Sequence, residues 1–342
     1  MSVQILTGDC RDVLKTLAAQ SVHCIVTSPP YFGLRDYGVA GQMGLEDTPD
    51  AFVAGMVAVF REARRVLRDD GTLWLNLGDS YAGSGKGGNP EAGKQATNKG
   101  SQSVGVIYET GKTAREAAVT NVTRKTFEGI KAKDLIGIPW RVAFALQADG
   151  WYLRQDIVWS KPNPMPESVR DRCTRAHEYI FMFSKRPRYF YDTAAIAEPS
   201  IYAGLTGQDQ SGYKDARLYN GKHSDKQRGH SRRHAGFDER WDAMTKAEQS
   251  SGVRNKRSVW NVATKPFTGA HFATFPPDLI EPCILAGCPK GGTVLDPFGG
   301  AGTTGLVADR LQRNAVLIEL NPEYANMARE RIADDAPLIG AA

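Results

Sequence analysis

The chain has 342 residues, 41% of them hydrophobic, enough for one large domain or two ordinary ones. No apolar run approaches the length of a membrane span, and the N-terminus lacks a basic-then-apolar leader, so the expected compartment is the cytoplasm. The net charge of +5 is concentrated: residues 186–264 hold 14 Lys/Arg against 9 Asp/Glu, which is the whole excess, and a basic segment on a neutral scaffold suits a polyanion, with a charge-mixed solvated loop as the plain alternative.

In chain order, Val3–Leu6 is a short strand, and Gly8-Asp9 turns into a helix over about Arg11–Ala19. Val22–Val26 is an apolar, β-branched strand ending in Thr27-Ser28-Pro29-Pro30-Tyr31. Phe32 to Thr48 is Gly-rich and aromatic, the composition of a loop over a site. Asp50–Leu67 carries Phe52, Met56, Phe60, Ala63 and Leu67 at helical spacing; Asp69-Asp70-Gly71 is expected to end it, before a strand over Thr72–Leu77. This β-α-β-α-β order predicts an α/β layered domain with a mostly parallel sheet. Residues 82–130 are poor in apolar side chains and predict a long mobile loop. Their Gly-Ser-Gly-Lys-Gly-Gly string lacks phosphate-loop spacing. A helix starts at Pro139 and stops at Gly150, followed by strands over Trp151–Trp159 and Glu178–Phe183, with the rigid Lys161–Pro166 linker between them. Periodicity fades from about 187 to 264. It resumes with a helix over Asp278–Ala286, a strand over Thr293–Asp296, a Gly-rich turn, a helix to Leu311, a strand over Ala315–Glu319, and a helix from Pro322 to about Ile332.

Two stretches carry chemistry. In Ser28-Pro29-Pro30-Tyr31 the prolines stiffen the loop and fix its carbonyls, a hydroxyl precedes them and an aromatic ring follows. Such a loop can grip the edge and face of a planar, amino-bearing ring; a simple Pro-Pro turn or a polyproline ligand is the plain alternative. In 293–319 a strand, glycine turn, helix, strand and acid form a nucleotide-type unit, with Glu319 about 20 residues past the glycines, where it can accept from ribose hydroxyls. Asp-Pro-Phe-Gly-Gly-Ala-Gly is not G-x-G-x-x-G, so a nucleoside without a pyrophosphate fits better than a dinucleotide. Cys10, Cys24, Cys173, Cys283 and Cys288 contain no C-x-x-C pair, and the six histidines show no ligand spacing, so no metal is expected.

Leu295-Asp296-Pro297-Phe298-Gly299-Gly300-Ala301-Gly302-Thr303-Thr304 resembles the S-adenosylmethionine motif of DNA amino-methyltransferases, and Thr27–Tyr31 resembles their catalytic [D/N/S]-P-P-[Y/F/W] motif. Catalytic motif first, recognition segment between and cofactor motif last is the permuted order of the bacterial and phage β class. The resemblance implies a Rossmann-like S-adenosylmethionine-dependent methyltransferase fold: mostly parallel sheet, flanking helices, circularly permuted motif order and an irregular target-recognition insert. It divides the chain into a catalytic part (1–186), a target recognition segment (187–264) and a cofactor-binding part (265–342).

The resemblance also implies roles. Asp296, Phe298, Gly299, Gly300, Gly302 and Thr303 line the methionine end of the cofactor and Glu319 its ribose, with Asp9, Cys10, Thr274 and Phe275 at its border. Ser28, Pro29, Pro30 and Tyr31 hold the target base, and Arg232, Arg233, Arg254, Lys256 and Arg257 are candidates for DNA contacts. The implied substrate is double-stranded DNA, with a homodimer and a cognate restriction endonuclease as further expected partners. Ser at the first catalytic position resembles N4-cytosine enzymes, and a hydroxyl can both accept from and donate to the base. N6-adenine is the runner-up; an RNA or protein substrate, or a silent DNA-binding protein, comes behind it. No Pro-Cys pair follows the target-site strand, as a ring-carbon cytosine methyltransferase would need.

Overall fold

The structure, a computed structural model, describes residues 2–83, 127–199, 253–265 and 275–335. The chain forms two compact units, Met1–Asp192 with Ser258–Ala342, and Thr193–Arg257. Of the 82–130 segment, residues 84–126 lie outside the described residues. Its described ends belong to the core: Ala82 is buried, and Phe127 packs on Phe32 with ring centroids 5.6 Å apart.

The elements in order are β1 (Val3–Thr7), α1 (Cys10–Thr16), β2 (Val22–Thr27), α2 (Pro49–Val66), β3 (Leu67–Leu77), α3 (Ile138–Ala148), β4 (Tyr152–Ser160), β5 (His177–Ser184), β6 (Glu198–Pro199), β7 (Val253–Arg254), β8 (Val259–Asn261), α4 (Pro277–Gly287), β9 (Thr293–Asp296), α5 (Thr303–Arg310), β10 (Asn314–Glu319) and α6 (Pro322–Asp335). β6 and β7 pair antiparallel within the smaller unit. The other strands form one sheet in the order β1-β10-β9-β2-β3-β5-β4-β8. From β1 to β3 every pairing is parallel; β5 runs antiparallel to β3 and β4, and β8 parallel to β4.

Helix α2 shows why the local sequence folds this way. Thr48 caps it by accepting from the Ala51 N–H, Pro49 sits at its first turn, and Phe52, Met56, Phe60 and Ala63 are fully buried. Each large apolar side chain buried this way contributes about 1.5–3 kcal/mol. α1, α2 and α3 pack side by side, as do α4, α5 and α6. Leu73, Leu75 and Leu77 of β3 join the α2 core, whereas Thr72 and Trp74 lie against Gly287 of α4, so the two helical layers cover opposite faces. Asp69-Asp70-Gly71 does not separate α2 from β3 as expected. The strand begins at once, because Leu67 is itself buried and paired with Val22, and Lys185 and Arg186 hold Asp69. α1 stops at Thr16, short of the expected Ala19, where Leu17 turns extended.

The consequence for function is at one edge of the sheet. The parallel strands β1, β2, β3, β9 and β10 all end there, as does β4, and the antiparallel β5 starts there. β2 and β9 are neighbours at the point where the chain order reverses, and the loops leaving them open the crevice in which such sheets bind ligands.

Candidate active site

The two chemical motifs meet across that crevice. Thr27, the last residue of β2, donates to Asp296 Oδ1 at 2.6 Å; Thr304 on α5 donates to Asp296 Oδ2 at 2.6 Å, and the Phe298 N–H to Oδ1 at 3.0 Å. Asp296 is 2% exposed. Burial pushes its carboxyl up to about 6, opposed by these hydrogen bonds. It therefore ties the catalytic strand, the glycine turn and the start of α5 to one carboxyl group.

Around it stand the remaining residues expected at the cofactor. Gly299 donates to the Ile318 carbonyl at 2.7 Å, and Gly302 to the Gly299 carbonyl at 2.9 Å. Gly302 has φ +77°, and a Cβ there would come within 2.8 Å of Ala328 on α6, so glycine is required both by conformation and by space. Thr303 is buried and accepts from Arg331 at 2.9 Å; Phe298 packs against the core. Glu319 ends β10 and accepts from Gly300 at 2.7 Å and Asn321 at 2.8 Å, and burial raises its pKa. The Gly8 N–H bonds to the Glu319 carbonyl at 2.9 Å, which brings the end of β1 beside it. There Asp9 caps α1 and pairs with Arg11, whose hydrogen bond holds the Asp9 carboxyl below its usual value. Cys10 follows, buried, its thiol pushed up to about 12 by desolvation. Phe275 is half-buried just before α4, and Thr274 lies outside the described residues. Two carboxylates at the ends of adjacent strands beside a tight glycine turn suit a nucleoside with free ribose hydroxyls.

On the catalytic side, Tyr31 leans on β3. A Cβ on Gly78 would stand 2.4 Å from Tyr31 Cε2, so the ring packs directly on the glycine backbone. Its hydroxyl donates to Glu178 Oε2 at 2.7 Å and lies 3.1 Å from Asn76 Oδ1. Asn76 Nδ2 donates to the Tyr179 carbonyl at 3.0 Å and to Glu178 at 3.3 Å, which orients the amide. Lys161 pairs with Glu178 and lies 4.3 Å over the Trp159 ring. Burial, with the Glu178 charge beside it, raises the phenol's pKa well above its usual value. Pro29 is buried beneath the loop.

Sequence reasoning missed Asn76, Glu178 and Lys161. Asn76 did leave a signal, as the one amide in an otherwise apolar strand. Glu178 reaches Tyr31 because β5 pairs with β3 in the register Leu77↔Tyr179, which no local pattern discloses. Asp79, also missed, accepts from Gly137 and Ile138 at the start of α3 and does the work of a helix cap. Burial raises its pKa.

Among the DNA candidates, Arg232 and Arg233 lie outside the described residues. Arg254, Lys256 and Arg257 gather round Glu198 in the smaller unit, at 3.6, 3.8 and 3.0 Å. No group of metal-ligating side chains occurs among the described residues, and no helix there is long and apolar enough to cross a membrane.

Comparison with known proteins bears on this geometry. A family model described as DNA methylase, for the N6/N4 amino-methyltransferases, matches residues 22–330. The chain is 45% identical to the type II methyltransferase M.Cfr9I of Citrobacter freundii over 328 residues, covering 96% of this chain and 87% of that one. It is 44% identical to the type II methyltransferase M.SmaI of Serratia marcescens, covering 97% and 91%. Two solved structures share the fold. One is the PvuII DNA methyltransferase (cytosine-N4-specific), with TM-score 0.57, 17% identity and 98% and 91% of the chains covered. The other is a DNA modification methylase of Thermus thermophilus complexed with S-adenosyl-L-methionine, with TM-score 0.55, 23% identity and 99% of each chain covered. Because the matched span runs from the catalytic strand through the glycine turn to the last helix, the chain belongs to the N6/N4 DNA amino-methyltransferases, and its methyl donor is S-adenosylmethionine.

Proposed function

We propose that the protein transfers a methyl group to the exocyclic N4 amine of a cytosine turned out of duplex DNA. The observation that carries this reading is Ser28: the first residue of the catalytic loop is a hydroxyl, not a carboxylate, at the end of a strand braced to the glycine turn. An exocyclic amine on an aromatic ring is a poor nucleophile, because its lone pair is delocalised. Ser28 and the Pro29 carbonyl accept the two amine hydrogens, favour a pyramidal nitrogen and free that lone pair, without a covalent enzyme intermediate. S-adenosylmethionine, when bound, would supply an electrophilic methyl on a sulfonium; as the amine nitrogen bonds that methyl the sulfur–carbon bond breaks, S-adenosylhomocysteine leaves, and the surplus amine proton goes to solvent. Asp9, Glu319 and the Asp296–Gly302 turn would hold that group beside the Ser28–Tyr31 loop. The target atom is out of reach inside a duplex, so the base is flipped and Tyr31 stacks on it.

Sequence reading belongs to the 187–264 segment, with Arg232, Arg233, Arg254, Lys256 and Arg257 among its DNA contacts. A cytoplasmic role as the protective half of a restriction-modification pair, with a homodimer as the working form, accompanies this reading. The test is mass spectrometry of nucleosides from duplexes of broad sequence content, incubated with the protein and labelled S-adenosylmethionine. N4-methylcytosine is the expected product. N6-methyladenine alone would defeat the cytosine assignment and leave the enzyme class standing.

A further inference from the structure

We propose that the loop between β4 and β5 is a DNA-docking surface beside the reaction centre, with Met165 as the wedge that fills the gap left in the duplex by the target base and Arg170 as a phosphate anchor. This rests on the reading that the base is turned out of the duplex, whichever base it is.

The hairpin sets the position of the loop. β4 ends and β5 starts at the edge of the sheet that carries the Ser28–Tyr31 loop, and the Lys161 N–H closes the stem on the Ala176 carbonyl at 2.8 Å. At that stem Lys161 pairs with Glu178 Oε1, and Glu178 Oε2 accepts from the Tyr31 hydroxyl at 2.7 Å. Four residues of chain span at most about 14 Å. The Met165 backbone therefore stands no farther than that from the Lys161 backbone, a reach close to the roughly 12 Å width of a major groove.

Met165 is 85% exposed, the most of any large apolar side chain among the described residues; the next is Val259 at 56%. The hydrophobic effect favours folding such a side chain back onto apolar surface, and the backbone around it resists this. Pro164 and Pro166 fix φ on both sides. Before them, the Asn163 amide donates to the Thr264 carbonyl at 3.0 Å and accepts from the Thr264 N–H at 2.9 Å. After them, Glu167 accepts from Arg172 at 2.7 Å and from the Arg175 N–H at 3.4 Å, while Arg172 lies 4.1 Å over the Tyr81 ring. The thioether thus stands on a strut anchored at both ends. A turned-out base leaves an apolar slot between two stacked neighbours, and an unbranched, polarisable side chain fits it.

Arg170 supplies the charge. Glu167 pairs with Arg172 and Asp171 with Lys133, so the acids of the loop are occupied. Arg170 is exposed and pairs with no acid among the described residues. A free guanidinium on the same loop as the wedge suits a backbone phosphate flanking the gap.

The experiment uses the full chain, S-adenosylmethionine and a duplex that wild type methylates, in one copy with the natural base and in another with 2-aminopurine at the target position. Single-turnover transfer is read on the first and stopped-flow fluorescence on the second. Fluorescence should rise with wild type; no rise would overturn the turned-out-base reading and the proposal together. Met165→Ala is expected to slow both the rise and transfer about tenfold, with cofactor affinity unchanged by calorimetry, and Met165→Leu should recover most of the rate. Placing the target in a mismatch, where it is already unpaired, should shrink the Met165→Ala defect to less than about threefold, whereas damage to the fold would persist. Arg170→Ala should lower the slope of log affinity for DNA against log salt by about one. A wild-type rise that Met165→Ala leaves unchanged in rate and size would overturn the wedge; if Leu34→Ala, 48% exposed just past Tyr31, then carries the defect, the wedge lies on the catalytic loop instead. An unchanged salt slope in Arg170→Ala would overturn the phosphate anchor.

Discussion

Thr27 and Asp296 are 269 residues apart in the chain and 2.6 Å apart in the fold. One ends β2, just before the Ser28–Tyr31 loop, and the other ends β9, just before the glycine turn, so this buried bond ties the two motifs together. Thr27→Val keeps the shape and removes the donor. The loss is expected to be about 1–3 kcal/mol in urea unfolding, since one carboxyl oxygen keeps only its bond to Phe298. Both methyl transfer and cofactor affinity should fall, because the lost bond joins the loop to the Asp296 turn.

The Asp296 carboxyl gives stability a particular pH dependence. Its folded pKa, about 6, lies above the ordinary 3.8. Between those values the folded protein holds the proton more tightly than the unfolded chain, so this group's contribution to stability falls as pH rises from about 4 to about 6 and then stays level. The shift corresponds to about 3 kcal/mol. Asp296→Asn lacks the slope. Melting curves of both proteins from pH 4 to pH 7 should show the variant at its greatest disadvantage at pH 4 and recovering by pH 7. A gap that is constant across the range would refute the raised pKa.

Glu319 accepts from Gly300 and Asn321 and is the proposed ribose acceptor of the cofactor. Glu319→Ala is expected to weaken S-adenosylmethionine binding by about 1.5–3 kcal/mol, roughly 10- to 100-fold in Kd, by calorimetry. Equal affinity in wild type and variant would take Glu319 out of the cofactor site.

Gly78→Ala tests the seat of Tyr31. The added methyl would lie 2.4, 2.8 and 3.1 Å from Tyr31 Cε2, Cδ2 and Cζ, so the ring has to shift to admit it. Overpacking of this kind costs about 1–3 kcal/mol. Displacing the ring also breaks the Tyr31–Glu178 bond, so transfer should drop at least tenfold while calorimetry finds cofactor affinity intact. Unchanged single-turnover rates would mean that the ring's position is irrelevant to catalysis.

Arg254, Lys256 and Arg257 all lie within 4 Å of the Glu198 carboxylate, a cluster of basic side chains in the proposed recognition segment. Changing all three to alanine should lower the slope of log affinity for DNA against log salt by about one for each phosphate these side chains neutralise. If their task is only to neutralise Glu198, the slope will match wild type.

Much of the fold was legible because the helices and strands are strongly patterned. Phe52, Met56 and Phe60 mark one face of α2, and the β-branched run of β2 can be little else than a buried strand. The glycine turn and its acid were legible for a similar reason: their requirements are local, a positive φ at Gly302 and an acid at a strand end. What was hidden depends on strand order. Nothing near Thr27 says that β2 lies beside β9, so the Asp296 brace was invisible, and nothing near Glu178 says that β5 turns antiparallel beside β3 and delivers a carboxylate to Tyr31. Side chains whose partners lie in distant strands are legible only once the register is known.

The pairing of β1 with β10 has a consequence for how the chain comes to be folded. The first strand made must wait for residues 314–319 before it finds its neighbour, and α6, the last helix described, then packs on it. During synthesis β2, β3 and α2 can condense early, while β1 stays unpaired until β10 has been made. Long-range closure of this kind is slow, and it leaves the edge of β2 exposed meanwhile. On the proposed cofactor site, which spans the ends of β1, β9 and β10, the ligand acts late, as a clasp on strands already paired, and S-adenosylmethionine supplied during refolding should raise the yield of native enzyme more than the rate of its first collapse.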